Sequence, residues 1–319
     1  MHVMTWVKDK VRNRFAGMVR SEVQKAVEGM LPIMPQLIEF QSSAAEDRQS
    51  YYNRAKAPFE NREYFAMLRD RLVANNVIVE DVAIDIPDFE RWLHDFPEIR
   101  RHYKGIGQAF VEKCLEHYLA FRHLEISAND VYIDIAAAKS PWAGILNRRH
   151  IRSYRLDLAY PKGVHGINIG ANAGDTTLPD AFASVLSSQC AFECFMGDAD
   201  TRFVREAARI LNERGRYGIV PLYLDDVYYV ATSPYCNQRD VVIEGDARKV
   251  WRDDGYRLPF SRHYSPESFK KRIYSNVPGG MTGRVLYFRN LTDLMKRYQG
   301  QMIYCFFMFY CEMKTPVGR

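Results

Sequence analysis

The sequence predicts an α/β protein: a doubly wound, mostly parallel sheet with antiparallel edge strands, preceded by a helical N-terminal extension. Three observations predict it. From residue 131 onward short β-type runs alternate with helical ones, and repeated βα units build a parallel sheet covered by helices. Two closing runs, "RVLYFRN" (284–290) and "QMIYCFFMFYCEM" (301–313), leave little room for a crossover helix and read as an antiparallel pair at the edge. Before residue 123 the periodicity is helical instead.

Taken in order, Val3, Val7, Val11, Phe15, Val19, Val23, Val27 and Leu31 recur every four residues, with Met4, Met18 and Met30 beside them and a basic opposite face. That is a long amphipathic helix within residues 1–40, ended by Pro32 and Pro35. Three roles fit it: packing on its own domain or on a second copy, peripheral contact with an anionic membrane surface, or targeting, against which its acidic residues count. Residues 41–62 are polar and poor in aliphatics, and they open a helical linker or cap region that runs to residue 108. Residues 63–75 read as a helix, and 88–122 as two helices divided near "KGIG", with Asp88 as N-cap of the first.

The domain over 109–319 carries the βα pattern. Strands are predicted at 131–136, 153–160, more weakly at 165–171, within 181–192, and at 215–224. Helices are predicted at 141–149 and at 198–214, where Phe203, Ala207, Ile210 and Leu211 share one face. Residues 225–262 are mixed and polar, an insertion or cap. Ser265 caps a helix over 265–276, with Glu267 in its first turn.

The chain's 319 residues, 47% of them hydrophobic, bury a sizeable core without disulfide staples. Its six cysteines form no CxxC pair and no zinc-spaced Cys/His cluster, which fits a reducing, cytoplasmic setting; Cys190, Cys305 and Cys311 read as small core residues. No run of 18 uncharged apolar residues occurs. Of the net charge of +5, residues 1–30 hold +3, so the body is nearly neutral and lacks a broad nucleic-acid footprint.

Ligands of open α/β sheets bind beyond the carboxyl ends of the strands, near the switch in strand order. That selects the loops after residues 136, 158, 171, 188 and 223. Asp157 ends a strand there, where a carboxylate can accept from both hydroxyls of a ribose; the Asn172 amide can meet an adenine edge, and Ser187, Ser188 and Gln189 end the fourth strand. The stretch "VYIDIAAAKSP" (131–141) is strand, loop and helix start, with alanines where a nucleotide-binding turn carries glycines.

In order and spacing these segments resemble a class I S-adenosylmethionine-dependent methyltransferase, a Rossmann-like fold. "VYIDIAAAKS" stands at that family's first strand and glycine loop, "YRLDLAYP" at its ribose-binding acid, "GANAGDTTLPDAFASVLSSQCAFECF" at the run from the adenine site to the fourth strand, and "DTRFVREAARILNERGRYGIVPLYL" at the following helix and fifth strand. The resemblance covers roughly residues 110–225. It implies S-adenosylmethionine as cofactor and no metal. It also implies a cofactor site of Asp134, Ala136, Ala138, Ser140, Asp157, Leu158, Asn172, Ala173 and Ser188. Departures are plain: Ala136, Ala138 and Ser140 replace the loop glycines, Lys139 adjoins a cofactor that is itself cationic, Asn172 replaces an acid, Glu213-Arg214-Gly215 replaces a Pro-Gly turn, and Cys194 stands where many members have histidine. Glycine is required only where φ is positive or a ligand touches backbone; alanine held in the left-handed region costs about 1–2 kcal/mol, which folding absorbs.

Two residues are candidate bases. His117 shares the helix ahead of the first strand with Glu112 and Glu116, and is either a base of near-neutral pKa or a histidine satisfied in a helix–sheet contact. Glu193 follows the fourth strand and is placed to take a proton from a hydroxyl; Asp198 caps the next helix instead. Arg262, His263 and Tyr264 line an acceptor pocket or form a mixed loop, and the neighbours Asp225 and Asp226 do not by themselves make a metal site. The expectation is methyl transfer to a small-molecule or sugar hydroxyl, the latter in bacterial surface-glycan (polysaccharide) biosynthesis near the inner membrane. The rival is an inactive fold kept as a binding or scaffold module.

Overall fold

The computed structural model describes residues 18, 21–25, 33–44, 62–137, 139–236, 241–252 and 257–314. Of the expected helix over 3–31, Met18 and residues 21–25 are helical and exposed; the rest lies outside the described residues, as does most of 41–62.

Helix α1 is Met34–Ser42, and α2, Arg62–Ala74, buries Phe65, Leu68 and Leu72. A short strand follows, β1 (Val79–Val82). Region 88–122 yields three helices rather than two. Helix α3 (Ile86–Asp95) starts before Asp88: Asp85 is the N-cap and accepts from the Asp88 N–H at 2.9 Å, with Pro87 in the first turn. Pro97 then opens α4 (Pro97–Tyr103), and the "KGIG" break separates it from α5 (Phe110–His123).

From β2 (Val131–Ile135) the alternation follows: α6 (Trp142–Arg148), β3 (Arg152–His165), β4 (Asn168–Gly170), β5 (Ala183–Gln189), α7 (Ala199–Ile210) and β6 (Leu211–Val220). Helix α7 is shorter than its pattern, because residues 211–214 already belong to β6, where Leu211 lies opposite Ala183. The 225–262 insertion is a small sheet of β7 (Tyr229–Thr232), β8 (Arg248–Trp251) and β9 (Ser261–His263) in the order β8-β7-β9. Helix α8 (Pro266–Arg272) begins at Ser265, whose side chain accepts from the Ser268 N–H. Between β10 (Met281–Phe288) and β11 (Phe307–Met313) the chain does fit a helix, the two-turn α9 (Leu291–Arg297), burying Leu291, Leu294 and Met295.

The main sheet has eight strands in the order β1-β10-β11-β6-β5-β2-β3-β4. Counted from β2, that is third, second, first, fourth, fifth, seventh, sixth. Strand β11 runs antiparallel to both neighbours, β10 and β6, and β1 covers β10 in parallel, Val79 opposite Val285. Strands β2 and β5 are parallel neighbours that lie far apart in sequence, so the strand order turns between them. No helix links β3 to β4. The chain crosses the end of β4 at Tyr160–Pro161 and returns alongside it, Val164 opposite Ile169 and His165 opposite Asn168. Gly170 permits that crossing, since a Cβ there would lie 1.9 Å from the Pro161 carbonyl oxygen.

Two aromatic clusters fix the helices. Trp142 of α6 packs against Trp92 and Phe96 at 5.8 and 5.3 Å and against Phe121 of α5 at 5.9 Å. Phe65 of α2 stacks on Phe306 at 3.6 Å. Helix α1 lies on the small sheet: Lys249 pairs with Glu39 at 2.8 Å, Phe40 meets Trp251 edge-on, and the Gln36 amide donates to the carbonyls of Pro234 and Cys236.

Candidate active site

A cavity of about 820 Å³ opens at the carboxyl ends of β2 and β5, where the strand order turns. In doubly wound sheets that crevice is the ligand site. Two non-glycine residues adopt left-handed backbone there: Ala136 (φ 56) just after β2 and Cys190 (φ 48) just after β5, and both line the cavity. Such strain persists where the surroundings hold it, and it clusters at functional sites. The Ala137 N–H bonds to the Leu156 carbonyl of β3 at 3.1 Å, and the Ser140 N–H to the Ala137 carbonyl at 3.0 Å, so the loop is tied on both sides. The Ser140 hydroxyl accepts from the Trp142 N–H, starting α6.

Asp134, on β2, is fully buried and lines the cavity; its Oδ2 has no hydrogen-bond partner. Burial pushes its pKa up to about 7, against the opposing pulls of the Ser140 hydroxyl and the Arg155 charge. Across the cavity α5 contributes Lys113, Glu116 and His117. The Lys113 ammonium spans both Glu116 oxygens at 2.9 and 3.1 Å. Glu112, one turn earlier, accepts from the Tyr304 N–H at 2.9 Å. Burial raises the pKa of both glutamates, each further raised or held back by the charges beside it. Lys113 is held firmly cationic, burial notwithstanding, by the acidic groups around it.

His117 is 1% exposed, hydrogen-bonded through Nε2 to the Tyr103 hydroxyl at 2.8 Å, with its ring against Trp142. Burial and the Lys113 charge lower its pKa to about 3, so it is a neutral side chain at working pH. Glu193 stands in the short turn after β5, buried, with Oε1 accepting from the Cys190 thiol at 3.5 Å and Oε2 unpartnered. Burial raises its pKa, while Lys113 and Arg252 pull it back. The Cys190 sulfur also reaches the Tyr223 hydroxyl at 3.3 Å. The chain between β8 and β9 supplies Arg252 and Leu258 to the wall, and the chain ahead of β11 supplies Met302 and Tyr304.

Asp134, Ala136, Ser140, His117 and Glu193 therefore meet at one cavity. Ala138 lies outside the described residues. Asp157, Leu158, Asn172, Ala173 and Ser188 are not on that wall. The Asp157 carboxylate accepts from the Ala159 N–H at 2.8 Å, Leu158 faces outward at 75% exposure, and Asn172 accepts from the Gly174 N–H at 2.8 Å. Ala173 and Ser188 are buried. The chain begins to cross the end of β4 just past Asp157.

Other candidates prove structural. Arg262 is wholly buried, bonded to Asp200 at 2.7 Å and to Glu244 and the carbonyls of Phe195 and Gly197. His263 stacks on Tyr229 at 4.5 Å, and Tyr264 donates to Asp200. Asp198 occupies the N-cap position of α7 without a side-chain cap bond and pairs with Arg202 instead. The Tyr64 hydroxyl bonds to Asp225 at 2.6 Å and to Asp226 at 3.2 Å. Among the described residues no group of three His, Cys, Asp or Glu is placed to hold a metal ion, and no helix is long and apolar enough to cross a membrane.

Sequence reasoning missed Lys113, Cys190, Tyr223, Arg252 and Tyr304. A signal existed for Lys113, a third charge between Glu112 and Glu116 on a helix otherwise spent on the core. Cys190 reads as core because its run is apolar; only its left-handed backbone turns it to the cavity.

No family model matches the chain, and no curated protein matches it. Solved structures do resemble it. The Burkholderia thailandensis 1,6-didemethyltoxoflavin-N1-methyltransferase, with bound 1,6-didemethyltoxoflavin and S-adenosylhomocysteine, is 12% identical over 72% of this chain and 86% of its own, with a TM-score of 0.40. An S-adenosylmethionine-dependent methyltransferase of Mesorhizobium loti is 16% identical over 62% and 98%, TM-score 0.41. A Thermotoga maritima protein described as a possible histamine N-methyltransferase is 13% identical over 72% and 96%, TM-score 0.34. Overlaps this loose carry no argument, and the fold is described by the strand order itself, with its reversed seventh strand between fifth and sixth. The fold is Rossmann-like, an open doubly wound α/β sheet with its last strand reversed. Within it, the loop after the first strand keeps its left-handed turn although the residue is alanine.

Proposed function

We propose that this chain is an S-adenosylmethionine-dependent methyltransferase acting on a small-molecule hydroxyl. The observation that carries the reading is Asp134: a buried carboxyl with an unpartnered oxygen, beside the left-handed Ala136 turn, on the wall of a cavity at the sheet's switch point. A buried carboxyl oxygen without a partner is costly unless a ligand completes it. The α-ammonium of the cofactor's methionine half is such a ligand. Asp134 and the Ala136 turn thus fit the amino-acid half of the cofactor. For the nucleoside half, Asp157 and Asn172 lie off the wall and are used by their own loops.

When bound, the cofactor supplies an electrophilic methyl group. This chain's residues do the rest: Asp134 anchors, Tyr103 and Trp142 hold His117 as a neutral wall, and Glu193 receives the acceptor's proton through its unpartnered Oε2. Titration calorimetry with S-adenosylmethionine and S-adenosylhomocysteine tests the reading. Binding of both is expected, weakened at least tenfold by Asp134→Asn; no binding at millimolar ligand overturns it.

The internally used Asp157 and Asn172 favour a second reading, the same fold kept as a binding or scaffold module. The same titration separates the two, since a module has no call on the cofactor.

A further inference from the structure

Resting on the methyltransferase reading, one question the cavity addresses is which hydroxyl it serves. Beyond Asp134 and the loop, its wall includes Tyr223, Tyr304, Met302, Ile106 and Leu258, with Glu193 among them. The rings of Tyr223 and Tyr304 are stacked, 6.0 Å between centroids and 28° apart. Glu193 is linked to this pair through Cys190, whose sulfur lies 3.5 Å from the Glu193 carboxyl and 3.3 Å from the Tyr223 hydroxyl.

Three acceptor chemistries make different demands on such a wall. A sugar brings several hydroxyls, and each one buried needs a partner. The polar side chains here are largely committed to one another, Glu116 to Lys113 and Tyr103 to His117. Beyond Asp134, the oxygens left unpartnered among the described wall residues are one each on Gln189 and Glu193, too few for a sugar. An amine arrives as a cation, yet Glu193 sits under the positive fields of both Lys113 and Arg252, which oppose a third positive charge. A phenol brings one hydroxyl and a flat ring. The ring suits offset stacking on tyrosines, and the single hydroxyl needs one acceptor, which the unpartnered Glu193 Oε2 supplies.

We infer that the acceptor is a phenolic hydroxyl, its ring held against Tyr223 and Tyr304 and its proton taken by Glu193. In the step, the phenol O–H proton passes to the Glu193 carboxylate and the oxygen lone pair forms the new O–CH3 bond. The S–CH3 bond pair stays on sulfur, which leaves as a neutral thioether. Burial helps: a phenol ionises near pH 10, as tyrosine does, and a carboxylate made more basic by its surroundings narrows the gap that the proton must climb.

The test uses the full chain with 2-naphthol, methyl glucoside and benzylamine as probes. Binding to the S-adenosylhomocysteine-loaded protein is read by fluorescence and calorimetry, and transfer is read from labelled S-adenosylmethionine. Expected are 2-naphthol binding and methylation. Glu193→Gln lowers kcat about 10²- to 10⁴-fold with both affinities kept, and Tyr304→Ala weakens naphthol binding about two- to tenfold with homocysteine-product affinity unchanged. Preferential transfer to the glucoside or the amine overturns the inference, as does a loaded protein that fails to bind 2-naphthol, or naphthol transfer indifferent to Glu193→Gln. Failure of S-adenosylhomocysteine itself to bind is a separate outcome, and it takes down the methyltransferase reading and this inference together.

Discussion

Ala136 holds φ at 56, a region that costs an L-residue about 1–2 kcal/mol. Ala136→Gly removes that cost and adds unfolded-chain entropy of about 0.4–1 kcal/mol. Chemical denaturation should therefore show a protein as stable as the parent or up to about 1 kcal/mol more so, whereas Ala136→Val should lose stability. Titrations of the neighbouring groups have opposite signs. Asp134, raised to about 7 by burial, favours its protonated form when folded, so its contribution is full below pH 4 and lost as pH climbs to about 7. His117, lowered to about 3, favours its neutral form when folded, so its contribution is full above pH 6.5 and lost as pH falls toward 3. Stability measured against pH should decline less steeply between 4 and 7 in Asp134→Asn and show a smaller acid loss in His117→Gln, the remainder belonging to other buried groups such as Glu112, Glu116 and His123. For the same reason the activity profile should carry no limb from His117 near pH 6.5.

Among the elements, the β3–β4 crossing depends on a missing side chain. Gly170→Ala sets a Cβ 1.9 Å from the Pro161 carbonyl, a backbone atom that cannot swing aside. The substitution should destabilise by more than about 1–3 kcal/mol, the usual range for overpacking, and shift the Val164–Ile169 pairing seen in amide exchange. At the start of α7, Asp200 is wholly buried and bridges Arg262, Arg272 and Tyr264. Removing one partner of a buried ion pair strands the others, so Asp200→Asn should cost about 3–5 kcal/mol in unfolding free energy. These elements show how unevenly the sequence speaks. Residues such as Leu156 and Ile169 mark their strands by pattern, but nothing in "AYPKGVHG" states that the chain crosses over β4 rather than forming a helix. The Asp85 cap one turn ahead of Asp88 is of the same kind, since either aspartate satisfies the pattern and only Pro87 and the packed turn select between them.

Over the whole molecule, α1 and the small sheet form a unit set on the cavity's rim. Phe40 lies against Trp251, and the next residue, Arg252, lines the cavity. Phe40→Ala together with Glu39→Ala should leave the eight-stranded sheet unchanged and raise hydrogen exchange in β7 and β8, where α1 is seated. A uniform rise across both sheets would show instead that the insertion and the main sheet open together.

By itself the sequence determined the alternation of strands and helices from β2 onward, the closing antiparallel pair, the position of Asp134 near the end of its strand and that of Glu193 just after its own. Each of these is local: hydrophobic period, turn residues and order along the chain carry it. Tertiary structure decided what depends on residues distant in sequence. It added β1 to the sheet beside β10, drew Lys113, Tyr223, Arg252 and Tyr304 to one wall, and neutralised His117 by burying it under Tyr103 and Trp142. It also placed Asp157 and Asn172 off that wall, each accepting from a backbone N–H of its own loop. The alanine loop belongs to both accounts. Its residues predict a junction without glycine, and the Ala137 bond to Leu156 on β3 is what keeps Ala136 in the left-handed turn.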